Sequence, residues 1–460
     1  MAIKVRFFLS ISAVLLVLGG CGAVTESPKP AMQTTGQYAA RRLDDAGLKS
    51  FIEKASGRPA SSTWDVRQMT LAAFYFNPDL DVARSQWEAS KAARITAGQR
   101  PNPSIGVTPA RDATQPSPWL FGLTINLPIE TGGKREQRVE QAGHLANSAE
   151  YQISSTAWTV RSRVVGALID MTAADKSVAL YRQQAYAQKA VLDVFEERMS
   201  QGQFPSVTAS QIRVAYQQTL LAEKEAAKQA VEARARLAAA IGVSLEALEN
   251  ITINSNCLEL PSAAAVDRRA ALQAHTRLMA SLADYQAAHS ALQLEFARQT
   301  PDINLGPGYT WNKDGNAFTL GLSITLPVFN NNEGPIAEAI AKRKLAADQF
   351  NAAQADVIGR IEGAEASLKT AKSKLVTADQ LFAAQQDKLK QLQSQLRPAE
   401  ASKLPLLLAE SEVYTATVAR HDALIQVLKS KAAVEDASQQ PQFGGFNASA
   451  SHQSPRPEGQ

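Results

Sequence analysis

Two stretches of this chain leave few folds open. From Val139 to Tyr181, small or apolar residues fall at Val139, Ala142, Ala146, Ala149, Ile153, Ala157, Val160, Val164, Ala167, Met171, Ala174, Val178 and Tyr181. Every step is three or four residues, the spacing of one continuous seam along a helix packed on another helix. The spacing returns at Phe350, Ala353, Val357, Ile361, Ala364, Leu368, Ala371, Leu375, Ala378, Phe382, Gln385, Leu389, Leu392 and Leu396. Each seam contains one pair of consecutive four-residue steps, Ala149–Ile153–Ala157 and Ala353–Val357–Ile361. A shared irregularity ties the two stretches together more firmly than a shared regularity. Neither proline nor glycine occurs from Leu145 to Val165, and no proline occurs between Ile336 and Arg397. A helix of roughly 65 residues is about 100 Å long. Helices of that length build a rod or a tube rather than a compact globule.

That length overrides the prior from 460 residues, which alone would give about three domains. The formal net charge of +4 includes Lys4 and Arg6 of a leader, so the remainder is near neutral and lacks a basic nucleic-acid footprint. Beyond the leader no run reaches about 18 uninterrupted apolar residues, so no further membrane helix is expected. Residues 1–20 read as a signal peptide: Lys4 and Arg6, then the apolar Phe7 to Leu18, then Leu18-Gly19-Gly20-Cys21. An ordinary secretory cleavage site would fit the small residues. The tetrapeptide also resembles the lipobox of bacterial lipoproteins, which implies cleavage before Cys21, a lipid on its thiol and a palmitate-type anchor. Gly22 in place of Asp implies the outer membrane by the same resemblance. With Cys21 lipidated, Cys257 has no partner and reads as an unpaired loop residue.

In chain order, residues 21–63 read as a lipidated linker with a short helical patch near Leu43 to Lys54. A helix follows from Val66 to Gly98, kinked or restarted at Asn77-Pro78. Strands are expected at Ser104 to Thr108 and Trp119 to Leu127, a turn at Gly132-Gly133, and the first long helix to Met199. Gly202, Phe204 and Pro205 break it, with Ser206 as N-cap of a helix ending at Ile241 and closed by Gly242. Residues 243–266 read as an irregular connector. The plan then repeats about 200 residues on: a helix from Asp267 to Arg298, strands at Ile303 to Trp311 and Phe318 to Leu326, a turn at Asn330 to Pro335, and the second seam. A break at Arg397, Pro398, Glu400 and Ala401 precedes a helix from Leu404 to Glu435. The chain is thus an internal duplication, residues 64–242 and 267–437, with a disordered tail at 438–460.

The strands point to a membrane. Trp119, Phe121, Leu123, Ile125 and Leu127 share one face, and Gly122, Thr124 and Asn126 the other. Phe318, Leu320, Leu322, Ile324 and Leu326 alternate with Thr319, Gly321, Ser323 and Thr325. A half-buried sheet on helices in a soluble protein shows the same alternation. Between helices of about 100 Å, however, four strands have little to pack against, which favours a β-barrel. Membrane barrels need about 8 strands, and open edges in lipid cost several kcal/mol per unpaired group. Two chains would supply eight strands and three would supply twelve.

Asn77-Pro78-Asp79-Leu80 with Ala83-Arg84, Arg100-Pro101-Asn102-Pro103, Leu127-Pro128-Ile129 and Gly132-Gly133-Lys134-Arg135 resemble the first repeat of the TolC-type outer-membrane efflux family. Phe296 to Asp302, Leu326-Pro327-Val328-Phe329-Asn330 and Gly334 to Ala339 resemble its second repeat, most closely in the cobalt–zinc–cadmium resistance branch. The resemblance spans Trp64 to Ala437. It implies a homotrimer with one 12-strand barrel in outer-membrane lipid and a periplasmic α-helical tunnel. It further implies a periplasmic adaptor (membrane-fusion protein) and an inner-membrane pump of resistance–nodulation–division type. Gly202, Phe204, Pro205, Arg397, Pro398, Glu400 and Ala401 would form the periplasmic tip where the adaptor docks. Carboxylates that close such tunnels would align here with Pro405 and Leu408, leaving Glu400 and Glu410 as substitutes, or as ordinary solvated charges. His144, His275, His289, His421 and His452 show no ligand spacing, and no nucleophile–base arrangement occurs, so no metal site, cofactor or enzymatic activity is expected. Three functions remain open: the exit duct of a tripartite efflux pump for heavy-metal cations or small toxic compounds, the duct of a type I protein-secretion system, and a coiled-coil envelope lipoprotein.

Overall fold

A computed structural model describes residues 31–111, 119–203, 205–249, 251–254, 266–312, 315–395, 403–444 and 451–452. The described residues fall into two compact units, one ending at Arg42 and the other beginning at Leu43. The first contains helix α1 (Ala31–Ala39), followed by Arg41, whose guanidinium lies 5.1 Å from the Tyr38 ring centroid.

The second unit opens with α2 (Ala46–Ser56), whose N-terminus is capped by Asp45 Oδ1 accepting from Leu48 N–H at 2.9 Å. Its Leu48, Phe51 and Ile52 are buried in the main core, so this part of the expected linker is a structural element. Next come β1 (Thr63–Trp64), α3 (Val66–Phe76) and α4 (Pro78–Ala97). Asn77 both closes α3 and caps α4, the restart that Asn77-Pro78 announces. Strands β2 (Ser104–Arg111) and β3 (Trp119–Ile129) lead to α5 (Lys134–Ser200), 67 residues and about 100 Å long. Then follows α6 (Ser206–Ile241). The connector is less irregular than expected: it holds α7 (Glu246–Glu249) and β4 (Thr252–Ile253), and β4 pairs in parallel with β1.

The second half repeats this order as α8 (Arg268–Ala274), α9 (Thr276–Ala297), β5 (Ile303–Asn312), β6 (Gly315–Ile324), α10 (Glu333–Gln395) and α11 (Leu404–Ser438). The fold is therefore mostly α with a small sheet, built twice from helix, two strands, long helix and shorter helix. Three further sequence expectations change. The helix expected from Asp267 to Arg298 is broken at His275. Gly334 and Pro335 lie in the first turn of α10, where proline lacks only an N–H that has no helical partner anyway. Ser206 is the first residue of α6 rather than its cap; extended Pro205 holds the cap position without a side-chain bond.

Helices α5 and α10 run the full length of the helical body. Away from the sheet the packing order is α6, α5, α11, α10; near the sheet α9 lies between α5 and α10 while α4 packs on α5. Within each half, the break in the first helix meets the end of the last helix. Asn77 Nδ2 donates to Ala240 O at 2.8 Å. In the second half Gln439 Oε1 accepts from Thr276 N–H at 2.9 Å, and Gln439 Nε2 donates to Thr276 Oγ1 at 3.0 Å. Short helices are thereby stacked end to end beside each long one. The seams behave as their spacing requires: Val357 and Ile361 are buried, and no described seam residue of α5 or α10 is exposed.

The expected disordered tail is instead docked at its described residues. Phe443 and Ser451 are buried, and Phe443 joins the main core cluster. A Phe443 backbone N–H bonded to Glu435 and a carbonyl bonded to Arg161 remove the reason for that segment to stay solvated.

Candidate functional site

The sheet has the order β2-β3-β5-β6, antiparallel throughout. Pairing fixes the faces, because residues directly opposite share a side of the sheet. Val107 faces Leu123, Leu123 faces Tyr309, and Tyr309 faces Phe318. Likewise Thr108 faces Gly122, Gly122 faces Thr310, and Thr310 faces Ala317. One face therefore carries Ile105, Val107, Phe121, Leu123, Ile125, Leu305, Tyr309, Phe318, Leu320 and Leu322. The other carries glycine, alanine, threonine, serine and asparagine, with Leu120 and Pro128 near the two ends of β3. Aromatic rings stack across the apolar face, Phe121 on Trp311 at 5.7 Å and Tyr309 against Phe318 at 4.8 Å between centroids. This face is open: Phe318 is 87% exposed and Leu320 72%. A continuous exposed apolar face of this extent marks a surface that meets lipid or another protein. Strands β2 and β6 each pair on one side only among the described residues. No described helix is long and apolar enough to cross a membrane.

The junction between sheet and helices is tied across the repeats. Gly132 and Gly133 both have positive φ, 67° and 72°. A Cβ on Gly132 would lie 2.8 Å from Ala297 O, so the turn needs glycine to sit against the end of α9. The turn places Lys134 Nζ 2.7 Å from Asp302 Oδ1, which also accepts from Thr131 N–H at 3.0 Å. Glu130 accepts two bonds from Arg138, 2.5 and 2.9 Å. Arg138 holds the Glu130 carboxyl below the usual carboxylate range, its hydrogen bond outweighing partial burial. Burial of Asp302 raises its pKa, but the bonds from Lys134 and Thr131 outweigh it and the net direction is down. Sequence reading treats Gly132-Gly133-Lys134 as a local turn. Its link to Asp302 bridges 168 residues, and no local pattern carries that information.

At the far end of α5, Gly202 takes φ 73° and its N–H bonds to Met199 O at 2.9 Å, reversing the chain into Pro205 and α6. Val191 and Phe195 of α5 cluster with Leu404 at the start of α11, with Ile212 and Leu407 packed beside them. The first turn and the start of the last helix therefore meet at one end of the helical body. Pro405, Leu408 and Glu410 are exposed there, while Ala409 is buried. Cys21, Phe204, Cys257, Arg397, Pro398, Glu400 and Ala401 lie outside the described residues. Among the described residues no cluster of three His, Cys, Asp or Glu could hold a metal ion.

A family model described as "Outer membrane efflux protein" matches residues 73–243 and 268–439. The chain belongs to the outer membrane efflux protein family. The chain is similar to the cobalt-zinc-cadmium resistance protein CzcC of Cupriavidus metallidurans, 25% identical over 279 residues. That match covers 60% of this chain and 65% of the relative, a little under two thirds of its length. The pyoverdine export outer membrane protein OpmQ of Pseudomonas aeruginosa is 24% identical over 359 residues, covering 70% of this chain and 73% of that one. In three dimensions the chain is similar to the outer-membrane channel OprN, with a TM-score of 0.68 at 17% identity over 92% of this chain and 98% of the other. Family and fold are those of outer-membrane efflux channels.

Proposed function

We propose that this protein is the outer-membrane exit channel of a tripartite efflux pump. Three copies would close one 12-strand barrel in outer-membrane lipid, with the long helices continuing as a periplasmic tunnel. The observation that carries the reading is the four-stranded sheet, with one exposed apolar face, one small polar face and two one-sided edges. Such a sheet is stable in lipid only when its edges are paired, and further copies can pair them. The polar face then lines a water-filled passage, and transport is passive, with energy supplied by a partner. The names of the two relatives, a cobalt-zinc-cadmium resistance protein and a pyoverdine export outer membrane protein, support heavy-metal cations or small compounds as cargo. The segments Gly202–Pro205 and 397–401 would receive the adaptor of a resistance–nodulation–division pump, and lipidated Cys21 would add an anchor.

The purified protein is expected to run as a detergent-resistant trimer and to give discrete conductance steps in a planar bilayer. A monomer without conductance would overturn the reading. In cells, a charge inserted beside Phe204 or Ala401 should spare trimers and lower export, and Cys21→Ser should abolish fatty-acid labelling.

A further inference from the structure

The C-terminal segment sits in a seat whose groups lie outside the sheet and the turns used in the proposed function. Arg161 of α5 and Glu435 of α11 come from different repeats and are almost fully buried, with Nε and Oε1 2.6 Å apart. Both read the backbone of one residue. Glu435 Oε2 accepts from Phe443 N–H at 2.8 Å, and from Gln442 N–H beside it. Arg161 Nη2 donates to Phe443 O at 2.6 Å and also lies 3.5 Å from Gly444 O. The ring of Phe443 is 1% exposed, and Lys431 Nζ lies 4.7 Å from its centroid. Lys431 is itself 2% exposed, and its Nζ has no hydrogen-bond partner among the described residues. The ring face is thus the counterpart of a buried ammonium. A second anchor repeats the logic: buried Arg84 of α4 donates through Nε to Ser451 O at 2.9 Å. Its other nitrogens are held by Phe74 O at 3.1 Å and Asp81 Oδ1 at 3.0 Å.

We propose that this is a peptide-binding site filled in cis. It takes a bent segment by its backbone and one aromatic side chain, and its occupant clamps the second repeat to the first. The chemistry requires an occupant. A buried ion pair is tolerated better the more of its remaining hydrogen-bonding positions are met, and here the peptide meets those of Glu435 Oε2 and Arg161 Nη2. Without the segment, Arg161 and Glu435 lose their backbone partners and Lys431 loses its ring. The backbone bonds do not depend on side chains, so the aromatic residue sets selectivity.

The test uses full-length chains and a fluorescein-labelled synthetic peptide of residues 441–460. In wild type the seat is occupied, and the labelled peptide should bind weakly. In the Phe443→Ala chain the internal segment is weakened, and the peptide should bind saturably, about tenfold or more tighter than to wild type, as restoring the ring and charge-assisted bonds implies. A labelled peptide carrying Phe443→Ala should bind neither chain. Equal binding to both chains, or to neither, would overturn the proposal. Should the Phe443→Ala chain fail to fold, amide exchange decides in Glu435→Gln, which keeps the shape of the acceptor. Exchange at Phe443 should rise about tenfold or more over wild type, and unchanged exchange would refute a seated segment.

Discussion

At Gly242 the backbone turns with φ 90°, and a Cβ there would lie 2.8 Å from Phe76 O and 3.1 Å from Asn77 Cα. The glycine lets the end of α6 abut the break between α3 and α4, where Asn77 bonds Ala240. Gly57 also has a positive φ, 68°, but nothing within 4 Å of a built Cβ. Gly57→Ala should cost only the left-handed conformation, about 1 kcal/mol. Gly242→Ala adds a collision with backbone and should cost about 2–4 kcal/mol. Thermal unfolding midpoints of the two variants check this, and equal losses would remove the close contact as the cause. The junction carboxylates give a pH dependence of definite sign. Glu130 and Asp302 have folded pKa values below their ordinary values near about 4. Their contribution is therefore complete above that range and disappears as pH falls through the depressed values. The wild-type midpoint should drop more steeply than that of Glu130→Gln between about pH 6 and about pH 3, with the variant already lower at neutral pH. Parallel curves would show that the pair with Arg138 is not what holds the junction.

Element by element, the sheet tests its own faces. Leu322 lies opposite Leu305 on the apolar face, and Ser323 lies opposite Asn304 on the polar one. A cationic side chain facing lipid at mid-membrane costs roughly 2–4 kcal/mol, whereas one facing a water-filled lumen does not. Leu322→Arg should lower the outer-membrane yield of trimer well below that of Ser323→Arg, and equal yields would mean the faces are misassigned. These faces were legible because strand periodicity is 2 and every second residue from Phe318 to Leu326 is apolar. The end of β6 was not: pairing stops at Ile324, whose partner Ile303 is the first residue of β5, so Thr325 and Leu326 continue the alternation without a strand to meet. Long helices were legible through their seams, and Asn77-Pro78 marked the first helix break. Its counterpart at His275 has no proline and is held through Thr276 by Gln439, 163 residues from Thr276. Arg161 sits beside Val160 in a seam and looks like a solvated charge until Glu435 and Phe443 are placed against it. Contacts of that separation leave no trace in local spacing.

For the whole assembly, the duplication makes one part of the chain a template for contact between copies. Inside the chain, α5 packs on α11: Gln184 Nε2 donates to Thr415 Oγ1 at 3.0 Å, and Lys429 Nζ lies 2.7 Å from Asp170 Oδ1. Helix α10 repeats α5 about 204 residues later, as the irregular seam steps show, and α11 repeats α6 about 200 residues later. A ring of copies would therefore pack α10 of one against α6 of the next in the same register. Each helix keeps apolar residues for such a contact. Val207, Val214 and Leu221 stand seven apart on the open side of α6, and Val376 and Leu381 are exposed on α10. Carrying the Gln184–Thr415 register across places Leu221 of one copy beside Leu381 of the next. With Cys257→Ser as background, Leu221→Cys combined with Leu381→Cys should cross-link on oxidation into dimers and trimers on a non-reducing gel, and neither single variant should do so. The outcomes separate the register from the channel. Intact trimers without a cross-link would discard the register while keeping the three-fold ring. Loss of trimers in wild type would discard the ring, because the same pairing of edges that closes the helices must also close the sheet.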